Sequence, residues 1–172
     1  KGEITSLKFH PQGKHLISTS KDGTLKIWDL SSEKVMRELN ADTGHYFSFA
    51  NFSVGGFAML YGGTSGKVKI TRPLETNSNL AREDAIIQDK DPFNAADYSL
   101  EGNYLVVSSK NKIKVLSFSS KKVVKEFNGC NGIITDLKYN ADGSQIACLC
   151  DDGVLKVFDS ASGIAVHNMQ VT

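Results

Sequence analysis

Leu25-Lys26-Ile27, Val68-Lys69-Ile70, Ile113-Lys114-Val115 and Leu155-Lys156-Val157 write one apolar–Lys–apolar pattern four times, with the lysines 43, 45 and 42 residues apart. A fixed period of this size marks a chain made by repeating one supersecondary unit. Each Lys-centred stretch alternates as a half-buried strand does. A tight turn precedes it every time, at Lys21-Asp22-Gly23, Ser65-Gly66, Asn111-Lys112 and Asp152-Gly153, where Gly or Asn accepts a positive φ. Before that turn the pattern predicts a strand over Leu16–Ser20, Phe57–Tyr61, Tyr104–Ser108 and Gln145–Leu149.

Working outward, each unit opens on an alternating strand that ends in an aromatic, at Phe9, Phe52, Tyr98 or Tyr139, followed by a Gly-bearing turn. It closes on a shorter strand, predicted at Val35–Leu39, Ala85–Gln88, Val123–Phe127 and Ile164–Met169. No stretch shows an apolar stripe of period 3.6, and the long polar segment from Pro73 to Asp84 reads as loop. The chain is therefore expected to be all-β, with four antiparallel four-stranded sheets. A sheet of this kind cannot bury both faces alone, so it must stack on its neighbours.

Composition sets outer bounds. With 40% hydrophobic and 23% charged residues in 172, the chain is globular and long enough to bury a core. A net charge of +1 gives no field that would gather nucleic acid or an anionic membrane. The apolar stretch Tyr46 to Tyr61 is broken by Ser48, Asn51, Ser53, Gly55 and Gly56, so it is not read as a membrane span. Residue 1 is Lys and no signal segment follows, so the start reads as internal to a longer chain and carries no address. Cys130, Cys148 and Cys150 are an odd number without framework spacing, and the expectation is three thiols in a reducing, intracellular setting, cytoplasmic or nuclear.

The octapeptide Asp22-Gly23-Thr24-Leu25-Lys26-Ile27-Trp28-Asp29 resembles the WD40 repeat family closely, and the period extends the resemblance over the chain. The motif is specific in the first unit. At the places of Trp28-Asp29 the others carry Thr71-Arg72, Leu116-Ser117 and Phe158-Asp159. The resemblance implies a partial β-propeller over 1–172, with blades at about 1–40, 41–89, 90–128 and 129–172. It also implies a ring of about seven or eight blades, the remainder coming from the rest of the chain or from a partner. A buried tetrad of His, Ser or Thr, Asp and Trp holds such blades together; Ser18 (or Ser20), Asp22 and Trp28 are its remnant here. By the same count the His place falls just before Lys1 in the first blade, and on Thr43, Asp89 and Cys130 in the others; Gly44-His45 lies out of register. Asp42-Thr43-Gly44 and Tyr61-Gly62-Gly63-Thr64-Ser65-Gly66-Lys67 add a fainter likeness to the Prp19-type splicing scaffolds.

Residues that invite catalytic readings fit structural ones better. Gly62-Gly63-Thr64-Ser65-Gly66-Lys67 is similar to a phosphate-binding loop, but Val68 stands where magnesium needs a hydroxyl and a strand follows. Cys148 and Cys150 share a strand face yet lack further ligands at suitable spacing, so they read as small buried hydrophobes. Asp151-Asp152 occupies a turn. Lys26, Lys69, Lys114 and Lys156 are spread over four units rather than gathered as a basic stripe. Asn51-Phe52-Ser53 matches the glycosylation pattern on a strand read as buried. His10, His15, His45 and His167 form no ligand pattern, and there is no Gly-x-Ser-x-Gly elbow. The expectation is no enzyme, no catalytic residue, no cofactor and no metal.

The resemblance places binding on the rim formed by the loops entering each first strand and by the turns between second and third strands. That rim carries Lys1, Glu3, Lys21, Asp22, His45, Tyr46, Thr64, Asp91, Phe93, Lys110, Asn131 and Asp151. Lys21, Tyr46, Phe93, Lys110, Asn131 and Asp151 are the candidate protein-binding residues. Tyr46 and Phe93 are its aromatic anchors, and Lys21 and Lys110 suit acidic or phosphorylated partners. The implied role is a scaffold in a multiprotein complex; the alternatives are a half-propeller completed by a partner chain or copy, and an RNA-processing scaffold.

Overall fold

The computed structural model describes residues 2–74 and 84–171, and every regular element among them is a strand. Lys1 and most of the loop predicted over Pro73 to Asp84 lie outside the described residues. The first sheet holds β1 (Ile4–Phe9), β2 (His15–Ser20), β3 (Thr24–Asp29) and β4 (Lys34–Asn40). The second holds β5 (Phe47–Phe52), β6 (Met59–Gly63), β7 (Lys67–Thr71) and β8 (Asp84–Gln88). The third holds β9 (Phe93–Tyr98), β10 (Tyr104–Ser109), β11 (Lys112–Ser117) and β12 (Lys122–Asn128). The fourth holds β13 (Ile134–Tyr139), β14 (Gln145–Cys150), β15 (Val154–Asp159) and β16 (Ala165–Gln170). Each is an antiparallel meander in chain order. The chain divides into two compact units, Lys1–Pro92 and Phe93–Thr172, each of two sheets.

Alternation explains the packing inside each unit. In the first, Ile17, Leu25 and Ile27 leave the first sheet on one face and meet Phe47, Ala50, Met59 and Tyr61 of the second. In the second, Ala95, Val106, Ile113 and Val115 meet Ile134, Leu137, Ile146, Cys148 and Phe158. Full burial of such aliphatic and aromatic side chains is worth about 1.5–3 kcal/mol apiece. The first and third Lys-centred strands thus contribute core on both sides of the lysine (Leu25 and Ile27, Ile113 and Val115), whereas in the second only Val68 is fully buried and in the fourth Leu155 and Val157 are half-buried; the lysines themselves stay half-buried. Lys26 pairs across strands with Glu38 at 3.4 Å, and Lys114 with Glu126 at 3.7 Å.

A β-bulge one residue into each first strand was not legible in the pattern. It falls between Ile4 and Ser6, between Phe47 and Phe49, and between Ile134 and Asp136, with the third sheet's at the same place opposite Ser108 and Ser109. A bulge turns its extra residue off the ladder. Thr5 uses this freedom to donate to Phe47 O at 2.7 Å, tying the first sheet to the second, and Asn94 Nδ2 donates to Ile134 O at 3.3 Å, tying the third to the fourth.

Two turns depart from expectation. Phe57, expected to open a strand, lies exposed in the β5–β6 turn, and β6 begins at Met59. Buried His10 decides this, because its Nδ1 accepts from Gln12 N–H and its Nε2 therefore donates to Gly56 O at 3.2 Å. A methyl at Gly56, whose φ is +75°, would run into that imidazole. In the third sheet the left-handed residue is Lys110, at φ 52°, and not Asn111.

Candidate binding rim

At the end of the first sheet, the β2–β3 turn is clamped to the loop before β1. Lys21 N–H donates to Glu3 O at 2.8 Å, and Lys21 Nζ meets Glu3 Oε2 at 2.7 Å, which raises the lysine's pKa. Asp22 accepts from Thr24 N–H at 3.1 Å and from Thr24 Oγ1 at 2.7 Å. These bonds favour its charged form and pull its pKa down to about 2. In the second sheet the clamp is Thr64, whose N–H donates to Tyr46 O at 3.0 Å while its Oγ1 accepts from Tyr46 N–H at 2.9 Å. Tyr46 is half-buried, and Lys21 is exposed.

The second unit repeats the clamp with acids. Asp151 N–H donates to Ile133 O at 2.9 Å, Ile133 N–H donates to Asp151 Oδ1 at 2.7 Å, and Gly132 N–H donates to Asp152 Oδ2 at 3.1 Å. Both acids thus hold turns. Lys110 and Asn131 are exposed. Phe93 requires a correction, because it is 0% exposed and presents no aromatic surface to a partner. As the first residue of β9, paired with Ser109, it points into the core, where alternation puts Phe47 and Ile134 at the same place in β5 and β13.

The tetrad residues separate. Trp28 Nε1–H donates to Ser18 Oγ at 2.9 Å across β2 and β3, whereas Asp22 caps its own turn and takes Ser20 into it through Asp22 N–H to Ser20 Oγ at 3.2 Å.

The expectation of three thiols fails at two of them. Cys130 and Cys150 are joined in a disulfide that fastens the loop before β13 to the end of β14, and only Cys148 among the three is free. Burial of Cys148 pushes its thiol pKa up. The signal was present, since Cys130 falls at the place counted for the family's His and Cys150 ends β14 as Ser20 ends β2, so the two stand where a side-chain tether is wanted. The reducing setting inferred from three thiols loses that support. Cys130, Cys150 and Asp152 bring their ligand atoms within 4.8 Å of one another. In the disulfide neither sulfur is a thiolate able to ligate, and the Asp152 oxygens already accept from Gly132 and Val154 N–H.

The comparisons with known proteins join this geometry. The family model described as WD domain, G-beta repeat matches residues 1–29, and that of the anaphase-promoting complex subunit 4 WD40 domain matches 106–172. Both are models of WD40 repeats, and the chain carries such repeats over these two stretches. It is similar to pre-mRNA-processing factor 19 homolog 2 of Arabidopsis thaliana, 23% identical over 97% of this chain and 30% of that protein. Over 26% of its length it is 50% identical to nuclear distribution protein PAC1 of Coccidioides posadasii and 44% identical to nuclear distribution protein nudF of Aspergillus terreus, covering 10% of each. The WD40 chain thus spans less than a third of the length of these relatives. WD40 repeats are protein-interaction modules, and no helix among the described residues is long and apolar enough to cross a membrane.

Proposed function

We propose that this WD40 chain is a non-catalytic scaffold that binds other proteins within a multiprotein complex, through the rim of its first unit. The observation that supports this most is the rigidity of that rim. Backbone clamps at Glu3–Lys21 and Tyr46–Thr64 fix the turns, while Lys21 stays exposed and Tyr46 is only partly buried, so little order is lost on binding. In the second unit Lys110 and Asn131 offer the same kind of surface. An intracellular address, cytoplasmic or nuclear, goes with this reading, on the company of a pre-mRNA-processing factor and nuclear distribution proteins. The first of these also supports the narrower reading of an RNA-processing scaffold. The test is quantitative affinity capture with the parent and a Lys21→Glu, Tyr46→Ala variant of equal thermal stability. The variant should lose at least one partner at least about five-fold, the loss of about 1 kcal/mol; retention of every partner refutes the rim.

An architectural reading rests on a different observation. Leu7 and Phe9, 56% and 68% exposed, lie on the face of the first sheet turned away from the second. Apolar patches of this kind are interaction surfaces. On this reading further blades, from the same protein or from a partner, cover that face and complete a propeller. Light scattering of the 1–172 segment should show self-association. A monodisperse, cooperatively folded monomer removes the reading.

A further inference from the structure

The second unit holds a cleft of about 490 Å³ between the third and fourth sheets, at the opposite strand ends from the rim. Its volume falls in the range of roughly 300–1,000 Å³ found for ligand sites. Tyr104 and Tyr139 line it, with Leu100 and Val124, 53% and 54% exposed, beside them. Glu101 and Asp142, both exposed, are the carboxylates of the lining.

The cleft is built before anything enters it. Ser160 N–H donates to Ser144 O and Ser160 Oγ to Gly143 O, both at 2.8 Å, which locks the β13–β14 turn to the β15–β16 turn. Tyr104 N–H donates to Ser99 Oγ at 3.1 Å and fixes the β9–β10 turn. Across the sheets, Asp97 binds Lys138 Nζ at 3.2 Å and Tyr139 N–H at 3.1 Å. Lys125, the cation of the lining, is laid over the fourth sheet, with Nζ donating to Ser160 O and Ala161 O. Asp142 is held in its charged form by Ser144 N–H and Oγ, at 2.9 and 2.6 Å. Burial and the Asp97 charge push Tyr139 up to about 12, so the ring stays neutral.

An aromatic pair with two carboxylates, and with its lysine turned onto carbonyls, suits one kind of guest. We propose that this cleft is a second binding site that takes an arginine side chain, flanked by apolar residues, from an extended segment of a partner protein. The guanidinium stacks on Tyr104 and Tyr139 and pairs with Glu101 and Asp142, while the flanking residues cover Leu100 and Val124. An anionic guest, such as RNA or a phosphopeptide, meets like charge there. The site is separate from the rim, so either can fail without the other.

The test uses fluorescence anisotropy of the whole protein with a labelled Leu-Arg-Leu-Arg-Leu-Arg peptide and its counterpart with Glu for Arg. The Arg peptide should bind and the Glu peptide should be weaker by at least about ten-fold, the effect of a charge-complementary site. Glu101→Gln should weaken the Arg peptide by about five-fold, and Tyr104→Ala by about as much. Glu101→Lys should improve the Glu peptide over the parent, a gain that misfolding cannot produce. Equal affinity for both peptides, no binding of the Arg peptide, a response of neither peptide to Glu101→Lys, or tighter binding of an RNA oligonucleotide would each overturn the proposal.

Discussion

Tyr46 and Phe93 differ by one step in the repeat, and that step separates a rim side chain from a core one. Tyr46 precedes its strand, whereas Phe93 opens β9 and is fully buried. Phe93→Ala should therefore destabilise the protein by about 3–5 kcal/mol through the cavity it leaves, read from the denaturant midpoint. A loss under about 0.5 kcal/mol, the usual cost at a surface position, would return Phe93 to the binding surface. The cysteines give a second check at this scale. Thiol titration of the unfolded, unreduced chain should find only Cys148, and reduction should remove about 3 kcal/mol of stability for a bridge spanning 20 residues. Three thiols before reduction would dismiss the bridge. The distance between the two cysteines in the chain does not by itself reveal the pairing; only their places in the repeat do, because they meet when the loop before β13 folds over the end of β14. Ser18 and Trp28 were legible as partners, since both lie on adjacent strands of one hairpin.

At the scale of elements, the turns that close three of the sheets share a left-handed residue. It is Glu33 at φ 57° before β4, Lys121 at φ 55° before β12 and Gly163 at φ 74° before β16. The fourth sheet thus meets with glycine a geometry that costs another residue roughly 1–2 kcal/mol. Glu33→Gly should gain about 0.5–1 kcal/mol after allowing for the added freedom of glycine in the unfolded chain. The urea midpoint should rise with no change in slope; a fall would show that the Glu33 side chain holds the turn. Strand order and the Lys-centred strands were readable because period-2 alternation is local. The bulges at Thr5 and Asn94 were not, because they answer to carbonyls 42 and 40 residues away on the next sheet.

For the molecule as a whole, acid is the informative variable. Asp22, Asp29, Asp42, Glu126, Asp142 and Asp159 all have lowered pKa values, through hydrogen bonds from turn N–H and hydroxyl groups or from lysines. A carboxyl that binds its proton less tightly when folded adds stability above its unfolded pKa and loses it as pH falls towards the folded value. For Asp22 that window runs from the ordinary 3.8 down to about 2. Urea midpoints measured from pH 7 to pH 2 should hold steady and then drop below about pH 4, and Asp22→Asn should flatten part of the drop. A midpoint that rises in acid would contradict the sign. The stacking of sheets was legible at this scale from the spacing of 42 to 45 residues between the lysines and from the apolar alternation around them. The cleft was not, because it arises where turns from the third and fourth sheets converge, and no window of sequence holds both.

The bridge from Cys130 to Cys150 also changes what the chain does under load. Stretched from its termini, the oxidised protein cannot release the hairpin between those residues, so its fully extended contour falls short of the reduced one by about 60 Å, from about 3.3–3.6 Å per residue over a separation of 20 less the 6.6 Å the bridge itself spans. Force spectroscopy would see that deficit in the fourth sheet, which is thereby the part of the repeat best suited to carry tension.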